Sequence, residues 1–108
     1  MDELDDVDSS CLVRVERDAA GTVHVKLSGE LDLGNIDAID AAVAPALADE
    51  PARLVIDAAD LSFADSSAIA LWLRWAATVS RLELQDPSPL LRRVVEKMGL
   101  SEKLGVTP

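Results

Sequence analysis

Asp65-Ser66-Ser67 sets a carboxylate and two hydroxyls where an apolar run gives way to a helical pattern. The first N–H groups of a helix lack intrahelical partners and favour negative charge, so a hydroxyl placed there has two possible chemistries. It can act as a nucleophile, or it can accept a phosphate. Nucleophilic use needs a base, and the single histidine, His24, falls in an alternating segment whose polar positions face solvent. No Gly-x-Ser-x-Gly elbow and no tyrosine support a hydrolase built on Asp65, Ser66 and His24, so the chain reads as a non-enzyme. No glycine-rich phosphate loop or metal-ligand cluster is spelled out either, and neither a cofactor nor a metal is expected. On residue type alone, a serine at a helix start is most often a cap.

The elements that must hold this site can be read from periodicity. Leu12–Arg17 and Thr22–Ser28 alternate apolar and polar residues around Asp18-Ala19-Ala20-Gly21, which predicts a hairpin with Val23, Val25 and Leu27 inward. A helix is expected from Asn35 as its cap, with Ile36, Ile39, Val43, Ala46 and Leu47 on one stripe. Pro45 should kink that helix or end it early. Arg53–Asp57 reads as a buried strand, followed by a brief loop into Asp65.

From Ser66 to about Ser80 a second helix is predicted, with Ile69, Leu73, Ala76 and Ala77 inward. Trp72 is expected to pack in or at the edge of the core. Helix rotation is open from one sequence: Trp75 either stands exposed as an interface anchor or covers the sheet with Trp72. The reading adopted places Trp75 on the exposed side. Leu82–Gln85 gives a last strand, and Ser88-Pro89 opens a final helix with a capping serine and proline at its first position. Leu90, Leu91, Val94, Val95 and Met98 form its apolar stripe, Arg92, Arg93 and Lys97 lie opposite, and Gly99 supplies a left-handed stop. Leu100–Leu104 can add one more turn.

Composition bounds the function. With 108 residues, 49% of them hydrophobic, the chain can form one domain with its own core. A formal charge of −10 disfavours nucleic acid and anionic membrane as partners. Met1–Ser10 holds Asp2, Glu3, Asp5, Asp6 and Asp8 without a base and reads as a disordered acidic tail, leaving residues 11–108 as the domain. Cys11 is alone, so no internal disulfide exists, and a cytoplasmic location with Cys11 as a small strand side chain is the expectation. No segment is apolar and long enough to insert in a membrane.

Three segments in order carry a resemblance: Ser28-Gly29-Glu30-Leu31-Asp32, then Phe63-Ala64-Asp65-Ser66-Ser67, then Val94-Val95-Glu96-Lys97-Met98-Gly99-Leu100 after a Pro-Ser-Pro opening. Together they resemble a STAS domain of the anti-sigma factor antagonist type, over about residues 12–106. The resemblance implies an α/β single domain of order β-β-α-β-α-β-α, a mixed sheet of about four strands with helices packed on one face. It implies a protein that binds a kinase-type anti-sigma factor and is switched off when that serine kinase phosphorylates Ser66, with a phosphatase opposing it. Asp32 matches an acidic loop residue near the acceptor that engages the partner, and Asp65 its acidic neighbour.

Ser67 is the second choice of acceptor. The expected contact surface joins Asp32, Asp65, Ser66, Ser67 and the helix side near Trp75, on a monomer or weak homodimer. One departure stands out: family members commonly have glycine where this chain has Ala68, whose methyl would narrow a partner's approach or alter the helix start. Two alternatives share the fold: a non-phosphorylated STAS subunit of an ABC-type transport complex, favoured by the glycine-free Ala68–Leu73 run, and a scaffold that has lost the switch.

Overall fold

The computed structural model describes residues 10–106; the expected tail, apart from Ser10, lies outside them. Two strands, β1 (Cys11–Arg17) and β2 (Val23–Leu31), form the antiparallel hairpin. The Asp18 carboxylate holds its turn, accepting the N–H groups of Ala20 and Thr22 at 2.9 and 3.0 Å. Helix α1 (Ile36–Leu47) leads to β3 (Arg53–Ala64), α2 (Ser66–Ala76), β4 (Arg81–Gln85) and α3 (Pro89–Lys97). The sheet runs β1-β2-β3-β4, with β2, β3 and β4 parallel, so it is mixed as expected.

Period-two alternation decides which face is covered. Val23, Val25, Leu27, Leu54, Ile56, Leu82 and Leu84 point into the core beneath the helices, which supply Ile39, Val43, Ile69, Trp72 and Val95. The other face carries His24, hydrogen-bonded to Asp18, and Lys26, Asp57 and Glu83 in ion pairs, including Lys26 with Asp60 at 3.2 Å and Arg53 with Glu83 at 2.6 Å. This is the wet face that an antiparallel edge permits.

Four local expectations are corrected. Helix α1 does not end early at Pro45 but continues to Leu47, because a proline in the last turn forfeits only one hydrogen bond of the ladder. Strand β3 does not stop at Asp57. Two bulges, between Lys26/Ser28 and Gly29/Glu30 in the β2–β3 register, let residues Ala58–Ala64 stay paired with β2 although their polarity pattern is broken. Helix α2 ends at Ala76, not near Ser80, since the Thr78 N–H and hydroxyl both turn back to the Trp75 carbonyl, at 3.0 and 2.8 Å.

On α3 only Leu91 and Val95 are buried. Leu90, Val94 and Met98 from its expected apolar stripe are exposed. Its ends follow the sequence: Ser88 Oγ accepts the Leu91 N–H at 3.1 Å, and Gly99 stops the helix with φ +72°. There the Leu100 and Gly99 N–H groups bond to the carbonyls of Val95 and Glu96, which closes the last turn. Beyond it the chain turns back, and Leu84 N–H donates to the Leu104 carbonyl at 2.9 Å, covering part of the β4 edge.

Candidate functional site

The parallel strands β2 and β3 end together, and both lead at that end into a helix. Asp65, one residue past β3, is the cap of α2: its Oδ1 accepts the N–H groups of Ser67 at 2.9 Å and Ala68 at 3.2 Å. Its Oδ2 reaches across to accept the Leu33 N–H at 3.1 Å, and its own N–H donates to the Leu31 carbonyl. One carboxylate therefore fixes the start of α2 and the loop after β2 in a single frame. The loop carrying Asp32 and the Asp65-Ser66-Ser67 segment, joined in the sequence reading, are joined in space.

Ser66 occupies the first position of α2 and is exposed. With Asp65 capping, the Ser66 hydroxyl is not needed for that role, and no hydrogen bond engages it among the described residues. Ser67, the second choice, is half-buried. Asp32 is half-buried and its Oδ1 turns to the Gly34 N–H at 2.9 Å. Ala68 is fully buried, with its methyl in the core and its N–H on Asp65. The extra methyl relative to glycine points inward, away from the exposed surface.

Trp75 is corrected. It is 3% exposed, its indole N–H donating to Asp40 Oδ1 on α1 at 2.9 Å, and Trp72 is fully buried beside it. Both indoles cover the sheet, and the exposed line of α2 runs instead through Ser66, Ala70, Arg74 and Ala77. The inward face is Ala68, Ile69, Leu71, Trp72 and Trp75, while Leu73 and Ala76 are half-buried and Ala77 exposed.

Asn35 plays a part the sequence reading missed. It stands at the cap position of α1 but makes no side-chain cap bond. Its Oδ1 accepts the Asp32 N–H at 3.0 Å, and its Nδ2 donates to Ser10 Oγ at 2.8 Å and the Glu30 carbonyl at 2.9 Å. Buried at 3% exposure, it locks the Asp32 loop to the start of β1. Gly29 makes that close approach possible: φ is +97°, and a Cβ there would run into the Ser10 carbonyl. Leu33 and Phe63, not singled out as site residues by the sequence reading, are both exposed; Leu33 is bonded to Asp65 and Phe63 lies two residues before it.

Elsewhere the side chains offer little chemistry. His24 pairs with Asp18 at 3.0 Å on the wet face, and that hydrogen bond holds the Asp18 carboxyl below its usual range. Burial pushes the Cys11 thiol up, away from thiolate reactivity. Among the described residues, no three His, Cys, Asp or Glu side chains group as metal ligands would, and no helix is long and apolar enough to cross a membrane.

Comparison with known proteins agrees with this fold. The family model described as "Mlab, STAS domain" matches residues 14–106. An anti-sigma factor antagonist from Mycobacterium paratuberculosis superposes with a TM-score of 0.82 at 25% identity, over 92% of this chain and 86% of that one. The anti-sigma factor antagonist SpoIIAA, in its unphosphorylated form, gives 0.76 at 27% identity over 90% and 89%. The Bacillus cell fate determinant SpoIIAA in its phosphorylated form gives 0.70 at 27% identity over 90% and 92%. No curated protein sequence registers as a match.

Proposed function

This chain belongs to the STAS domain family, and from that premise we propose that it is an anti-sigma factor antagonist switched by phosphorylation of Ser66. In the unphosphorylated state it binds a kinase-type anti-sigma factor through the surface around Asp32, Asp65, Ser66 and Ser67. The kinase then modifies Ser66, binding ends, and a phosphatase resets the protein. The observation that carries this reading is the Ser66 hydroxyl, exposed at the head of α2 and engaged in no hydrogen bond among the described residues, while the neighbouring Asp65 does the capping.

Electrostatics explain why modification acts on binding and spares the fold. A phosphate brings a charge of about −1.5 to −2. The N-terminus of α2 tolerates that charge. Asp65 repels it by only about 1.5–2 kcal/mol at roughly 4 Å in water, and more once an interface excludes solvent. Burying a phosphate without a compensating cation costs several kcal/mol. A penalty of about 4 kcal/mol already weakens binding roughly a thousandfold.

The test is binding of purified kinase-type anti-sigma factors from the same organism to the wild type, Ser66→Ala and Ser66→Asp. Wild type and Ser66→Ala should bind alike, and Ser66→Asp should bind far more weakly with its thermal unfolding nearly unchanged. Equal binding by Ser66→Ala and Ser66→Asp would return the scaffold reading. A collapse of Ser66→Asp stability would show the serine to be a structural residue.

A further inference from the structure

Six large apolar side chains are exposed among the described residues, and two of them, Leu33 at 72% and Phe63 at 50%, border Asp65. Leu33 donates its N–H to that carboxylate, and Phe63 lies two residues before it, paired across the sheet with Glu30. Phe63 is the only phenylalanine; the two tryptophans are buried and tyrosine is absent, so the one aromatic side chain on this surface stands at the site. Leu33 is not a loose loop residue either. The Asp65 bond, the Asp32 turn and buried Asn35 hold its backbone, so an anchor there is ordered before any partner arrives.

The chain segments that carry this pair hold acids and no base. Residues 28–40 and 58–73 contain no lysine or arginine. Asp60 and Asp40 are engaged with Lys26 and Arg74, but Glu30, Asp32, Asp37 and Asp65 form no ion pair among the described residues. An apolar pair inside an unneutralised acidic collar fits a complementary shape: an apolar pocket edged with Arg and Lys.

We propose that Leu33 and Phe63 are the apolar anchors by which this domain docks on a protein partner, and that the partner's pocket is rimmed with basic side chains that face Glu30, Asp32, Asp37 and Asp65. The proposal rests on the partner-binding reading above and deepens it. It assigns affinity to Leu33 and Phe63 and leaves Ser66 as the switch. The acidic collar steers encounter, and the anchors govern dissociation.

The test measures association and dissociation rates for the purified kinase-type anti-sigma factor that binds the wild type. Leu33→Ser and Phe63→Ser should each weaken binding at least about tenfold, mainly through faster dissociation. The on-rate of the wild type should fall about tenfold or more between low and high salt. Leu90→Ser, which removes an equally exposed leucine from α3, should bind as the wild type does.

Tryptophan emission from buried Trp72 and Trp75 checks that each variant is folded. Wild-type affinity in folded Leu33→Ser, or loss confined to Leu90→Ser, overturns the anchor assignment while the proposed function stands. A salt-independent on-rate overturns the basic rim. Failure of the wild type to bind any such factor would overturn the proposed function itself.

Discussion

Removing the Asp65 carboxylate should cost far more stability than removing the adjacent hydroxyl. Asp65 accepts N–H groups from Ser67, Ala68 and Leu33, whereas the Ser66 hydroxyl is engaged by none among the described residues. In Asp65→Ala, loss of the cap is worth about 1 kcal/mol. Loss of the charge-assisted bond to Leu33 adds about another 1 kcal/mol after allowance for its partial exposure. At about 4 °C per kcal/mol for a domain of this size, the sum lowers Tm by about 8 °C.

Asp65→Asn retains one cap oxygen but replaces the second acceptor by an amide, so it should lose roughly half as much. Ser66→Ala should shift Tm by no more than about 2 °C, as exposed substitutions without partners do. The assay is thermal unfolding followed by emission of Trp72 and Trp75, the latter tied to α1 through Asp40. Equal losses for Asp65→Ala and Ser66→Ala, or no loss for Asp65→Ala, would refute the division of labour between the two residues.

Gly29→Ala should destabilise the domain by about 3 kcal/mol, because an L side chain is strained at φ +97° and its Cβ meets the Ser10 carbonyl; chemical denaturation measures it, and wild-type stability would show that the β2 end can shift freely. Acid should remove a contribution made by Asp18, whose folded carboxyl is held low chiefly by its hydrogen bond to His24. That contribution is complete above the unfolded value of about 3.9 and disappears as pH falls through the folded one. Urea midpoints between pH 5 and pH 2 should therefore fall less steeply for Asp18→Asn than for the wild type, and identical slopes would contradict the assignment.

The sequence made the element order and the hairpin legible because alternation in Val23–Leu27 and the capping signals at Ser88 and Gly99 are local. The start of α2 was legible for the same reason. What could not be read depends on distant pairing. Leu61 and Phe63 share a parity, which by alternation places both on one face, yet Leu61 is buried and Phe63 exposed because the second β2–β3 bulge falls between them. Trp75 was assigned to the wrong side because helix rotation is set by Asp40 and the sheet below. Asn35 sits where a cap should be, but Ser10 and Glu30 claim its side chain from twenty-five and five residues away.

Exposed Leu90, Val94 and Met98 show the limit of a periodic stripe: helical spacing indicates which residues align and not how wide a face the core covers. At the site, the adjacency of Asp32 and Asp65 was expected from family resemblance. The bond through Leu33 that produces it needed coordinates.

On the proposed function, the Ser66 hydroxyl, freed from capping by Asp65, is the reversible mark on this surface. Incubating the protein with ATP and candidate kinase-type anti-sigma factors from the same organism, then mapping the product by mass spectrometry, tests that claim most directly. A single phosphate on Ser66, no longer added in Ser66→Ala, and loss of the complex on modification are the predicted results. An unmodified protein, or phosphate on half-buried Ser67 alone, would contradict the account.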